Sequence, residues 1–202
     1  VFAFDTGDTV NSYKGEPTVN VVPNQGLLWT QYNTSITQNA IAAPDGTLTG
    51  IKITATNTTQ VRTEFNLTNP ASAAYYAFSV YAKRGSSPYA SLSTYFPPYT
   101  SPYVIFDLDT GTLTSSTGTY STYIEHIRDG WYRIGMVVYV RTDQDYRLMK
   151  VMQTDSATNP NSGVSGSYVY YYKPQIEEKP YITPHTVGTR SATEGLKDLT
   201  GN

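Results

Sequence analysis

The chain alternates apolar and polar residues over many short runs, and none of these runs carries a helical period of useful length. Successive side chains of a strand point to opposite faces, so a period of two marks half-buried β-strands. Clusters of Gly, Pro, Asn, Asp and Ser separate the runs, which is the punctuation of an antiparallel sandwich or barrel. Strands are predicted over 19–22, 28–32, 48–55, 60–67, 75–83, 89–96, 103–108, 112–115, 122–127, 131–141, 146–153 and 167–176. Phe106 to Leu113 reads as a hairpin, because Asp109 suits a turn and Gly111 supplies a positive φ between strand-like flanks. Residues 1–18 and 192–202 lack clean alternation and are expected to be connectors flanking one module over 19–191.

Sorting alternate residues by face separates a core from a second, amphipathic side. In the run from Tyr75, Tyr76, Phe78, Val80 and Ala82 form the apolar face, while Tyr75, Ala77, Ser79, Tyr81 and Lys83 lie opposite. In the run from Tyr89, Ala90, Leu92 and Phe96 point one way, and Tyr89, Ser91, Ser93 and Tyr95 the other. In the run from Trp131, Tyr132, Ile134, Met136, Val138 and Val140 are core-like, leaving Trp131, Arg133, Gly135, Val137 and Tyr139 opposite. The chain carries 19 tyrosines, and this sorting gives the surplus an address. A sheet face of tyrosines, small hydroxyls, Lys83 and Arg133 has the chemistry to hold a sugar, with rings stacking on pyranose faces and polar groups bonding sugar oxygens. The same face would also suit packing under loops or against a neighbouring subunit.

Composition removes several function classes. With no cysteine there is no disulfide framework, thiolate metal site or cysteine nucleophile, and only His126 and His185 are available for imidazole chemistry. The net charge is −2 with 15% charged residues, so no basic field favours nucleic acid. No run approaches the roughly 18 consecutive apolar residues of a membrane-spanning helix, so membrane insertion is not expected.

Candidates for catalysis are poor. Glycoside hydrolysis needs a carboxylate pair, but Glu177 and Glu178 are adjacent and would face opposite sides of a strand, while Asp107 and Asp109 flank a turn. His126 has no nucleophile-elbow serine motif to accompany it. The expectation is a non-catalytic chain without a cofactor. Loop carboxylates could still hold a structural calcium ion, with Asp5, Asp8, Asp143 and Asp145 as candidates by proximity, although turn-capping accounts for them more simply.

Several phrases, taken in order, resemble the carbohydrate-binding-module-like jelly rolls of bacteriophage tail and other virion proteins. They are Asn20-Val21-Val22-Pro23-Asn24 followed by Trp29, Ala43-Pro44-Asp45-Gly46-Thr47, Phe78 to Lys83, Phe106 to Thr112, and Gly130-Trp131-Tyr132-Arg133. Gln175 to Pro184 and then Gly188 to Ser191 complete the set, so the resemblance spans roughly Asn20 to Ser191. It implies an all-β antiparallel sandwich of jelly-roll type in a virion protein on a tail or capsid surface. Residues 195–202 resemble the start of a following laminin-G-like domain. His185 stands where the family usually has an aromatic, and Lys173-Pro174 replaces a smaller step, so local strand geometry is expected to depart there.

Trp131 and Arg133 project to the same face, and the shared phrase suggests scaffold: the guanidinium would lie on the indole or pair with a carboxylate such as Glu177. Recognition is expected in the Pro-stiffened segment Tyr95 to Tyr103 and on the amphipathic face, giving Tyr81, Lys83, Tyr89, Tyr95, Tyr99 and Tyr103 as candidate carbohydrate-binding residues. The expected partners are glycans of the host surface or environment, other virion proteins and further copies of the chain. The competing expectation is a decoration or fibre module whose Tyr-rich face docks onto other virion proteins or symmetry mates.

Overall fold

The structure, a computed structural model, describes residues 16–22, 29–67, 72–98, 101–143 and 148–191. Its strands are β1 (Thr18–Val19), β2 (Thr30–Tyr32), β3 (Thr34–Ile41), β4 (Gly50–Ala55), β5 (Arg62–Asn66), β6 (Ala74–Arg84) and β7 (Tyr89–Tyr95). They continue as β8 (Tyr103–Asp107), β9 (Thr112–Thr117), β10 (Ser121–Arg128), β11 (Trp131–Val140), β12 (Leu148–Thr154), β13 (Tyr168–Glu177) and β14 (Thr189–Arg190). Two six-stranded sheets form, ordered β10-β11-β6-β13-β4-β3 and β2-β5-β12-β7-β8-β9, and β1 pairs with β14 apart from them. All pairings are antiparallel, and the chain crosses between sheets from β4 to β5, β5 to β6 and β6 to β7. The result is an all-β sandwich of the jelly-roll type.

The apolar faces read from alternation meet between the sheets. Phe78, Val80, Ala82, Ile134, Met136 and Val138 of the first sheet join Ala90, Leu92, Val104, Phe106, Met149 and Val151 of the second in one buried cluster. Burial of these side chains away from water is the main term holding the sheets together. Tyr171 crosses that core, its hydroxyl donating to the Met152 carbonyl at 2.7 Å, so the buried phenol is satisfied. The Phe106–Leu113 hairpin forms as expected: Gly111 has φ +68° and its N–H reaches the Asp107 carbonyl at 2.9 Å, while the Asp107 carboxylate caps Asp109 N–H at 2.8 Å.

Two strands escape sequence patterning. β3 is an edge strand with no fully buried side chain, a register shift between Thr37 and Ile41 and a positive φ at Asn39, so no apolar alternation announces it. β14 is a two-residue pair with β1. Lys173-Pro174 does alter strand geometry. Register shifts there between Tyr172 and Gln175, Lys173 has φ +45°, and the inward set changes from Val169 and Tyr171 to Ile176. A proline within a central strand is accommodated at such a bulge because the ladder is already broken.

The phrases singled out in the sequence meet one another in space. The buried Trp131 packs with Ala43 and Tyr172, its indole N–H donating to the Ala42 carbonyl at 3.1 Å. Asp45 in the adjoining turn accepts from the Tyr172 hydroxyl and, at 3.1 Å, from Lys173. Burial alone would raise the Asp45 pKa, but hydrogen bonds from Thr47, Tyr172 and Lys173 outweigh it and hold the carboxyl well below the usual range. At the other end, the buried Glu177 accepts from Thr18 and Gln175 at 2.8 Å each and from the Thr183 hydroxyl at 2.7 Å. Arg190 donates to Thr183 at 2.8 Å and to the Glu16 carbonyl at 2.7 Å. These phrases clasp the first and last described segments onto the sandwich. Arg133 belongs to the same scaffold, but with other partners than expected. It donates to Ser79 at 3.1 Å and to the Thr183 carbonyl, and its guanidinium stands 5.6 Å from the Tyr81 ring, because Glu177 is already occupied by Thr18, Gln175 and Thr183.

Candidate functional site

The amphipathic faces of β6 and β7 do not form one surface. β6 belongs to the first sheet and β7 to the second, and both turn their apolar sides to the shared core, so their polar sides look in opposite directions. Tyr81 and Lys83 therefore stand on one outer face, and Tyr89, Tyr95 and Tyr103 on the other. Alternation separates inside from outside within a strand and carries no information on which sheet the strand joins.

On the first sheet, the chain covers its own outer face. Gly135 is approached so closely by Ile182 and by the Phe78 carbonyl that a Cβ there would lie 2.3 Å and 2.9 Å from them, which lets the segment after β13 lie flat on β11. Ala77 and Ser79 are buried beneath this segment. Tyr81 is half-buried against Tyr172, ring centres 6.0 Å apart, and the Lys83 ammonium is tied to the Asp129 carbonyl. What stays open is a separate group of exposed rings, with Tyr75 lying 4.5 Å from Tyr120 and 5.0 Å from Tyr139.

The second sheet presents a groove of about 800 Å³ on its outer face, lined by Tyr32, Arg62, Glu64, Ser93, Tyr95, Tyr103, Lys150 and the loop residues Thr158 to Asn161, among others. Pairing registers explain how the floor assembles. Glu64 lies beside Lys150, Lys150 beside Ser93 and Ser93 beside Tyr103, so one row crosses β5, β12, β7 and β8 with all side chains on the same face. Tyr32 and Arg62 form the next row at the β2 edge. The loop after β12 is fixed over the sheet by Thr154, whose hydroxyl lies 2.8 Å from the carbonyls of both Asn159 and Ser162.

Charge in the groove is arranged unevenly. Arg62 Nε donates to Glu64 at 2.9 Å, its Nη1 donates to Gln60 at 2.6 Å, and the guanidinium sits 4.2 Å from the centre of the Tyr32 ring. Among the described residues the Lys150 ammonium makes no hydrogen bond, and it stands 5.0 Å from the centre of the Tyr95 ring. Partial burial, with the nearby Arg62 charge adding and Glu64 opposing, pushes the Lys150 amine down to about 8. Tyr103 is steadied by Ser115, hydroxyl to hydroxyl at 3.3 Å. Flat rings at both ends, with donors and acceptors between them, can stack on sugar faces and bond sugar hydroxyls.

Of the residues singled out in the sequence, Tyr95 and Tyr103 line this groove. Tyr89 is on the same sheet face but level with Asp107 and Thr154, away from the lining. Tyr99 lies outside the described residues, as do Asp5, Asp8 and Asp145. Asp143 pairs with Arg141 at 2.9 Å. Tyr32, Arg62, Glu64 and Lys150 were not anticipated. A signal exists for three of them, since Arg62 and Glu64 alternate with Val61, Thr63 and Phe65, and Lys150 stands alone between Met149 and Val151.

No family model and no curated protein matches this chain. Among solved structures it is similar to the CBM22-1 and GH10 modules of Clostridium thermocellum endo-1,4-β-D-xylanase 10B complexed with xylohexaose, at 12% identity and a TM-score of 0.49, covering 85% of this chain and 29% of that one. It is also similar to a candidate sugar-binding protein from Bacteroides thetaiotaomicron, at 12% identity and TM-score 0.41, covering 80% of this chain and 86% of that one. A third is the enzymatically active domain of bacteriophage CBA120 tailspike protein 4, at 11% identity and TM-score 0.41, covering 78% of this chain and 21% of that one. The chain thus spans less than a third of the first and third of these structures.

Proposed function

We propose that this chain is a non-catalytic carbohydrate-binding module that takes a glycan along the outer-face groove of the second sheet. The observation that carries the reading is the groove itself: the Tyr32, Tyr95 and Tyr103 rings flank a floor whose Arg62, Glu64, Lys150 and Ser93 present hydrogen-bonding groups to one space. Among the described lining residues Glu64 is the single carboxylate, and it is bound to Arg62, so these residues offer no pair for acid–base hydrolysis. In the virion setting implied by the sequence resemblance, the module would attach a phage particle to cell-surface or extracellular polysaccharide. A glycan microarray with the purified chain tests this. Binding to a restricted set of oligosaccharides, weakened about tenfold in Tyr95→Ala and in Tyr103→Ala, is expected; a blank array at millimolar ligand contradicts it.

A second reading rests on the exposed Tyr75, Tyr120 and Tyr139 cluster on the opposite sheet. Contiguous exposed rings suit a protein interface, so this face would dock onto another virion protein or a second copy of the chain. Concentration-dependent association, abolished by Tyr75→Ser with Tyr139→Ser, would support it. A monomer at all concentrations that docks onto no virion component would overturn it.

A further inference from the structure

We propose that the groove selects acidic glycans, with Lys150 holding the sugar's anionic substituent, a carboxylate or a sulfate. The inference rests on the glycan-binding reading above and deepens it. Three charged side chains occupy the floor, and two of them satisfy each other: Arg62 is committed to Glu64 and Gln60 and is stacked on Tyr32. Lys150 is different. Among the described residues its ammonium donates to no acceptor, although it has three N–H groups and sits in the central row between Glu64 of β5 and Ser93 of β7. A cation with no hydrogen-bond acceptor among the described residues is costly in a partly dehydrated groove, and that burial pushes its amine down to about 8.

A neutral sugar could accept hydrogen bonds from Lys150 but would leave its charge uncompensated. A carboxylate or sulfate compensates it and gains a charge-assisted bond. The Tyr95 ring beside the ammonium and the Tyr103 ring one strand further on supply stacking surfaces within one sugar's reach of that charge. The chain as a whole carries a net charge of −2, so no general field would attract polyanions, and selectivity for an acidic sugar would arise locally at Lys150.

The test is a set of matched oligosaccharides: oligouronates and their carboxyl-reduced forms, sialylated glycans and their desialylated forms, and sulfated glycans and their desulfated forms. They are titrated against the wild-type chain, Lys150→Met and Lys150→Arg, with thermal denaturation confirming that both variants fold. At least about tenfold preference for one acidic member over its neutral partner is expected, lost in Lys150→Met and kept in Lys150→Arg. Which acidic class binds distinguishes carboxylate from sulfate. Affinity for that glycan should fall between about pH 7 and pH 9 in the wild type as the amine deprotonates, with Arg62, Glu64, Tyr32, Tyr95 and Tyr103 the other ionisable groups lining the groove. In Lys150→Arg, whose guanidinium stays charged, affinity should hold. Equal binding of neutral and acidic partners, unchanged in Lys150→Met, overturns this inference and leaves the glycan-binding reading standing. No binding to any member overturns both.

Discussion

Thr18 donates a 2.8 Å hydrogen bond to Glu177, joining residues 159 positions apart at a buried site where β1 and β13 meet. Glu177 also takes Gln175 Nε2 at 2.8 Å, the Thr183 N–H at 2.9 Å and the Thr183 hydroxyl at 2.7 Å, so one carboxylate organises the segment that covers the first sheet. Glu177→Ala leaves these donors buried without an acceptor, at a cost of about 3 kcal/mol. Thermal denaturation should show Tm lowered by roughly 6–12 °C. An unchanged Tm would mean that the clasp contributes nothing to stability.

Stability should also depend on pH through His185. Burial pushes this imidazole down to about 3, and the charges of Lys173, Arg133 and Arg190 add to the effect, whereas the unfolded side chain titrates near 6.5. Between those pH values the unfolded chain binds a proton that the folded chain refuses. The stabilisation is therefore complete above about pH 6.5 and is lost progressively as pH falls towards 3. His185→Gln should flatten part of the decline in Tm between pH 7 and pH 4 on this account; parallel profiles for the two proteins would contradict it.

The two outer faces should respond differently to mutation. Tyr81→Ala removes a ring packed 6.0 Å from Tyr172 and should lower stability while leaving glycan affinity unchanged. Tyr103→Ala should weaken binding about tenfold with little change in Tm, because its ring lines the groove. Isothermal titration and thermal denaturation on both variants check the contrast. The reverse pattern would place the binding surface on the first sheet.

The chain should bind without turning its ligand over. Prolonged incubation with an array-positive polysaccharide is expected to release neither reducing ends nor unsaturated sugars. Steady product release, abolished in Glu64→Gln or Lys150→Met, would show the groove to be catalytic.

Much of this architecture was legible in the residues. Alternation through Tyr76, Phe78, Val80 and Ala82 and through Ile134, Met136 and Val138 identified the core faces, since inward residues repeat at a period of two wherever one side of a sheet is buried. Turn chemistry at Asp109 and Gly111 located a hairpin because its hydrogen bonds are local. The groove was only half visible. Tyr95 and Tyr103 are joined by a short Pro-rich segment and were read together, but Glu64, Lys150 and Ser93 become neighbours only through long-range pairing of β5, β12 and β7. The same limit misplaced Tyr81 beside Tyr95: each lies outward on its own strand, and only the sheet order shows that the two outward directions are opposed.

The central claim, a glycan held on the outer face of the second sheet, is tested most directly by ¹⁵N–¹H correlation spectra of the chain titrated with an oligosaccharide that binds on the microarray. The account predicts shift perturbations concentrated at Tyr32, Arg62, Ser93, Tyr103, Lys150 and Asn159, with Tyr81, Lys83 and Tyr139 unmoved. Perturbations confined to Tyr81, Lys83 and Tyr139 on the first sheet, with the groove silent, would contradict it.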